Sequence, residues 1–192
     1  SAPPVGCAPP SGEPVPDVPV SLAWLPRAAP LLLTGFMSSS CAVFDVERGS
    51  VLRSIAPAPA PGASSGAGAA EALACHPSLD LAVAGHADGF ARIFCASTGQ
   101  PVMDLCEAPK MLKGHGAAVS AVAVDPRGGF GVATGSHDGC VRLFDIRTGL
   151  CLWAERMHQR KSGEAIHCVV HTGDRLVTAG ADSHVVMLGL SE

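Results

Sequence analysis

With 192 residues, 47% of them hydrophobic and 16% charged, the chain is long enough to bury a core as one domain. A formal net charge of −4 supplies no electrostatic pull toward nucleic acid or an anionic membrane surface, so neither is an expected partner. No apolar run reaches the ~18 residues needed to cross a bilayer, so no membrane span is expected.

Residues 1–17 are Pro-rich, with neither a basic start nor an apolar core, and read as a disordered tail rather than a secretory signal. In the segment 18–55, Val20–Trp24 alternates like a half-buried strand, Leu31–Gly35 reads as a buried strand, and Cys41–Asp45 and Val51–Ser54 follow as two more. Turn-forming Gly, Pro, Asp and Ser clusters separate them. Residues 56–70 consist only of Pro, Ala, Gly and Ser and are expected to form a low-complexity loop; their glycines match no nucleotide fingerprint. A second segment, 71–105, carries strands at Ala72–Cys75, Leu81–Ala84, Ala91–Cys95 and Pro101–Leu105. A third, 113–155, ends in Leu152-Trp153. A fourth, 158–190, has an extended entry, 159–164, then strands at Ala165–Val170, Leu176–Ala179 and Val185–Leu190, and stops before a fourth strand.

The segments share one spacing. An aspartate precedes a bulky apolar residue by six positions in three of them: Asp88 and Phe94, Asp138 and Phe144, Asp182 and Leu188; the first keeps the frame with Ser38 and Phe44. The apolar anchors Phe44, Phe94, Phe144 and Leu188 lie 50, 50 and 44 residues apart. A Gly-His start such as Gly114-His115, a Trp-Asp-like end such as Phe144-Asp145, and a period near ~40–45 residues mark WD40 repeats. The expected fold is therefore an all-β WD40 β-propeller, partial, with about four blades of which the last is incomplete. Seven such blades would need about 280 residues. The chain is thus expected to be a fragment of a larger propeller or to be completed by another copy, with self-association through open propeller edges.

In such a blade a histidine, a Ser or Thr, an Asp and a Trp form a hydrogen-bonded chain that satisfies buried polar groups. The matching residues are His115, Thr134, Asp138 and Phe144 in the third segment and His158, Thr178, Asp182 and Leu188 in the fourth. Phe144 has no N–H donor, so the last link is lost. The second segment keeps Asp88 but has Ala84 in place of the hydroxyl, and the first has Thr34 and Ser38. These aspartates read as turn and network residues, readily ionised, rather than acid–base catalysts.

Other chemistry is weakly encoded. His167, Cys168 and His171 suggest zinc ligands, but strand alternation puts His167 and His171 on one face and Cys168 on the other. Ser120 and Ser136 lie in no nucleophile elbow, and Lys161-Ser162 follows no phosphate-binding Gly loop. The eight cysteines, with no C-x-x-C pair, are expected as reduced, mostly buried thiols. No catalytic residue, metal or cofactor is expected. The cations Arg156, Arg160 and Lys161 with His158, and Lys110 and Lys113 upstream, fall in loops entering the third and fourth blades; they suit either a solvated loop or an acidic partner surface. His137, Arg160 and Lys161, supported by His115, are the candidate partner-binding residues.

The runs Ala123–Pro126, Gly135–Asp138 and Val141–Phe144, with Ala179–Asp182 and above all the basic entry His158–Lys161 leading to Glu164–His167, resemble the C-terminal propeller of the striatin family. The resemblance spans 18–190. It implies a cytoplasmic, non-catalytic scaffold of the kind that serves as a regulatory subunit of protein phosphatase 2A and gathers kinases and adaptor proteins. The sequence shows no coiled-coil heptads, so the resemblance implies only the adaptor-binding part. Phe144-Asp145-Ile146-Arg147 also looks like the Trp-Asp-x-Arg box of cullin–RING ubiquitin ligase substrate receptors. A propeller hydrolase is the remaining alternative, and no acids or metal ligands for it can be named.

Overall fold

A computed structural model describes residues 17–26, 30–56, 68–105 and 114–190. The Pro-rich tail apart from Asp17, most of the 56–70 loop, Lys110 and Lys113 lie outside the described residues. Every element among the described residues is a strand. No helix is long and apolar enough to cross a membrane.

Fifteen strands form four antiparallel sheets in chain order. The first sheet contains β1 (Pro19–Trp24), β2 (Leu31–Phe36), β3 (Cys41–Asp45) and β4 (Ser50–Ile55). The second contains β5 (Ala70–Cys75), β6 (Leu81–His86), β7 (Ala91–Cys95) and β8 (Pro101–Leu105). The third contains β9 (Val119–Val124), β10 (Gly131–Ser136), β11 (Cys140–Asp145) and β12 (Cys151–Arg156). The last has three strands, β13 (Ile166–His171), β14 (Arg175–Gly180) and β15 (Val185–Gly189). Each sheet is an up-and-down meander whose first strand packs on the first strand of the next sheet, β1 on β5, β5 on β9 and β9 on β13. These are propeller blades.

The core is not inside any sheet but between sheets. Leu33, Val43 and Ile55 meet Ala82 and Phe94; Val83, Ile93 and Leu105 meet Val132, Phe144 and Ile146; Ala133 and Val141 meet Ile166, Val169 and Leu176. The repeat thus works as two faces per sheet, each apolar and each dependent on a neighbour. Phe94 and Phe144 press back on the preceding sheet. Close approach is set by Gly35, Gly85 and Gly135: a Cβ at any of them would lie 2.5–2.7 Å from an atom of the next sheet's first strand. Register shifts recur at matching places, between Val43 and Phe44, Ile93 and Phe94, and Leu143 and Phe144, and bend each outer strand alike.

The outward faces of the first and last sheets have no neighbour among the described residues. On one, Val20, Leu22 and Trp24 are exposed and Phe44 is half-buried, where Phe94 and Phe144 are buried. On the other, Val170, Val185 and Met187 are exposed.

Two expectations need correction. A register shift between Ile166 and Cys168 interrupts the alternation of β13, so His167 and Cys168 are both exposed while His171 is buried against the third sheet. Among the six described cysteines only Cys41 is buried; Cys75, Cys95, Cys140 and Cys151 are half-buried and Cys168 is exposed, and none forms a disulfide. Burial still pushes the Cys41 and Cys75 thiols up to about 12, so they pack as small hydrophobes.

Phe144→Ala is expected to cost about 3–5 kcal/mol in urea unfolding, the usual range for a buried phenylalanine. Phe44→Ala, on the uncovered face, should cost less than half as much; equal losses would contradict this division of the core.

Candidate functional site

Antiparallel topology places the turns β2–β3, β6–β7, β10–β11 and β14–β15 on one rim, together with the entries to β9 and β13. On this rim the repeated polar residues build clamps between consecutive blades. In the third sheet His115 places Nε2 2.8 Å from Thr134 Oγ1 and Nδ1 3.1 Å from Asp138 Oδ2. A carboxylate only accepts, so Nδ1 carries the proton and the threonine hydroxyl donates to Nε2. Asp138 also accepts from the Gly116 amide at 2.8 Å and the Cys140 amide at 2.8 Å. The fourth sheet repeats this: His158 bonds Thr178 Oγ1 at 2.8 Å and Asp182 Oδ1 at 2.9 Å, and Asp182 accepts from the amides of Gln159 and His184. Thr134, Thr178 and His158 are almost fully buried. Phe144 lies buried in the core beneath, with no polar link to offer.

The clamps reach across blades through the backbone. The His115 amide donates to the Gly89 carbonyl at 2.8 Å, and the His158 amide to the Gly139 carbonyl at 3.1 Å. Gly139 has φ +86°, and a Cβ there would lie 2.2 Å from the His158 oxygen, so only glycine permits this contact.

The other two blades solve the same problem with different residues. Asp88 has Ala84 where the hydroxyl should be, and instead receives the buried Arg92 in two-pronged fashion at 3.2 and 2.6 Å; Arg92 Nε also lies 3.7 Å from Asp104. In the first blade the roles are exchanged: Asp17, in the entry, accepts from the Ser38 amide at 3.0 Å and from the hydroxyls of Ser38 and Ser40 in the turn. Thr34 is buried nearby on β2. Sequence reasoning missed Arg92 and Asp17. The Asp-x-x-x-Arg spacing of Asp88 and Arg92 was a usable signal, whereas Asp17 lay at the edge of a Pro-rich stretch with nothing to single it out.

Electrostatics follow the geometry. Burial pushes the Asp138 carboxyl up, but the His115 hydrogen bond and the two amides outweigh it and hold the carboxyl well below its ordinary range. The His158 hydrogen bond and the Gln159 amide do the same for Asp182. Both are committed carboxylates.

Of the proposed partner-binding residues, His115 is buried with both ring nitrogens engaged, so it serves the clamp and not the surface. The others come together. His137 Nδ1 accepts from the Ala165 amide at 3.4 Å, and its ring meets that of His167 edge-on with centroids 6.0 Å apart. Arg160 and Lys161 are exposed in the same loop; Arg160 Nη2 donates to the Gly163 carbonyl at 3.0 Å, and Lys161 and Glu164 pair through their main chains. Glu164 lies 3.6 Å from His167, so the patch is basic with one carboxylate at its edge.

Remaining candidates are occupied elsewhere. Ser136 donates to the Ala117 carbonyl, and Ser120 to the carbonyls of Gly135 and Ile166. On the opposite rim Arg147 binds its own Asp145 at 3.0 and 2.6 Å and stacks over Phe130 at 4.2 Å. Among the described residues no three His, Cys, Asp or Glu side chains converge to hold a metal ion.

Four meandering blades, the last two carrying His–Thr–Asp clamps, define a WD40 β-propeller chain. A sequence model of the family described as nucleolar protein 10-like, N-terminal domain, a β-propeller, matches residues 14–189. The chain belongs to this β-propeller family, and its sequence relatives are striatins, as the 158–167 entry indicated. It is 31% identical to human striatin-4 over 86% of its own length and 21% of the relative's. It is 25% identical to human striatin-3 over 90% of its length and 21% of the relative's. It is 29% identical to a striatin homolog of Dictyostelium discoideum over 82% of its length and 18% of the relative's. The chain thus spans about a fifth of the length of these curated relatives. The crystal structure of the computationally designed Ika4 protein has the same fold, with a TM-score of 0.67 at 21% identity over 93% of this chain and 95% of that one.

Because the Asp138 carboxyl is held low, its contribution to stability is complete above about pH 4, the ordinary carboxylate value, and is lost as pH falls below it. Asp138→Asn is expected to cost about 1.5–3 kcal/mol at pH 7 in urea unfolding, the range for a hydrogen bond to a charged group. The gap from the parent should narrow between pH 4 and pH 2. A gap that stays constant over that range would contradict the assignment.

Proposed function

We propose that this chain is a non-catalytic protein-binding scaffold, performing the adaptor-binding part of a striatin-type regulatory role in cytoplasmic protein phosphatase 2A assemblies. The observation that carries this reading is the use of the clamp residues. The His–Asp pairs that could resemble acid–base machinery are buried, doubly bonded and tied into interblade turns. The rim also presents His137, Arg160 and Lys161, held by the clamped entry to β13, and these are the anchors this reading assigns to a partner. Loops on a rigid scaffold are where such proteins bind, and a few anchors carry most of the affinity. The two uncovered apolar faces support self-association as a second property of the isolated chain.

Arg160→Glu/Lys161→Glu is expected to abolish capture of acidic partners from cell extract at unchanged melting temperature; full capture by the double variant would remove this patch from the binding surface. By light scattering the parent should exceed its monomer mass of 19.4 kDa and Met187→Asp should fall back to it. A monomeric parent at all concentrations would exclude association through these faces.

A further inference from the structure

The three junctions between blades are built on one plan, and one of them is under-filled. The Ala96 amide donates to the Asp80 carbonyl at 3.1 Å, Ile146 to Phe130 at 2.8 Å and Leu190 to Asp174 at 2.7 Å. These residues therefore occupy the same place after the third strand of their sheets. At the second junction Ile146 is buried against Ile93 and Leu105, and at the third Leu190 packs into the core between sheets. At the first junction the side chain is only a methyl group.

A second difference sits opposite. Where the second sheet has His76 at the end of β5, the first has Leu25 at the end of β1. His76 accepts the Ser78 and Leu79 amides at Nδ1 and donates from Nε2 to the Gly129 carbonyl at 2.9 Å, drawing the turn of the third sheet onto the second. Leu25 has no donor with which to draw in the corresponding turn around Leu79. Small Ala96 and apolar Leu25 leave a cleft of about 190 Å³ on the rim opposite the clamps. Its walls include Leu31, Val43, Leu79 and Leu81, and its lip carries Leu52 and Arg53 of β4. An apolar cavity of about 150 Å³ is enough to hold benzene, so this one has room for an aliphatic or aromatic side chain.

The lip supplies charge. Arg53 forms no ion pair among the described residues. The neighbouring Asp80 carboxylate is turned into its own loop, accepting from the Ser97 amide at 3.0 Å and from the Ser97 hydroxyl. Leu52 sits in the register shift of β4, 51% exposed beside the opening. An apolar slot with an unpaired cation and an exposed leucine at its mouth matches a polypeptide that alternates aliphatic and acidic residues.

We propose that the cleft between the first two blades is a docking site for an extended acidic–aliphatic segment of a partner protein. One aliphatic side chain fills the space that Ile146 fills in the next junction, and Arg53 pairs with a carboxylate beside it. The site lies on the rim away from Arg160 and Lys161, so it stands or falls separately from that patch.

The test is fluorescence anisotropy of the full 192-residue chain with a labelled octapeptide of alternating aspartate and leucine, against one with lysine in place of aspartate. Micromolar binding of the aspartate peptide is expected, at least tenfold tighter than the lysine peptide. Ala96→Ile, which copies the second junction, should raise the melting temperature and weaken binding at least tenfold. Arg53→Glu, on the surface, should reverse the preference between peptides, while Arg160→Glu/Lys161→Glu leaves it intact. Absence of binding, equal affinity for both peptides, or undiminished binding by a folded Ala96→Ile variant would overturn the proposal.

Discussion

Everything in this molecule depends on how closely one sheet can approach the next. A four-stranded meander of short strands has too little apolar surface to stand alone; it acquires a core only when its neighbour supplies the other half. Gly35, Gly85 and Gly135 permit that approach by removing the one methyl group that would hold the next first strand away. The buried rows Leu33–Val43, Val83–Ile93 and Ala133–Val141 then meet the following sheet, and Phe94 and Phe144 return the contact from the other side. The last sheet has Ala179 in the corresponding place beside Thr178. A sheet docking there would sit farther out than at the three internal junctions, so the uncovered face of the last sheet is not a copy of the covered ones.

The polar clamps act on the turns rather than on the core, and they are graded along the chain. The third and fourth blades hold the entry loop with a buried histidine between a threonine and an aspartate. The second substitutes an arginine within its own sheet, and the first uses a carboxylate on serines. A buried histidine bonded on both sides fixes position and orientation together, whereas the exposed Asp17–Ser38 pair works against water and adds less. The basic loop 159–164 follows the most complete clamp, and the under-filled cleft lies between the two blades that lack the histidine clamp.

The fold was legible because it is written repeatedly. The Asp-to-apolar spacing, the turn glycines and the two-residue alternation recur, so a weak signal in one copy is supported by three others. The third and fourth clamps were legible for the same reason: His115 and His158 stand before a Thr and an Asp at spacings that differ by one residue, 19 and 23 against 20 and 24. What was not legible is where a copy departs from the pattern and its replacement comes from outside the repeated positions. Asp17 takes the acidic role from the entry rather than the turn, and Arg92, on the following strand, supplies to Asp88 the donors that histidine supplies elsewhere. The placing of His167 and His171 on one face of β13 and Cys168 on the other relied on strict alternation, which a single register shift undoes: it brings His167 and Cys168 out together and leaves His171 inside. The exposure of a side chain near such a shift is a property of pairing with β14, and pairing is not local information.

The same departures separate structure from function. In a repeat, a residue that obeys the pattern is accounted for by packing, and the informative residues are those that break it without a local replacement. Asp88 loses its histidine and hydroxyl and gains Arg92, which closes the account within the sheet. Ala96 and Leu25 lose volume and a donor and gain no replacement among the described residues, so a cavity stands where its neighbours are filled. Unfilled volume costs stability in proportion to its size, at about 24 cal/mol per Å³ for a sealed core cavity and less for one open to solvent. Filling the space with an isoleucine would be a single substitution within a pattern the chain already uses. A defect that simple to repair, bordered by an unpaired arginine, is better understood as a site that another chain completes than as an accident of packing.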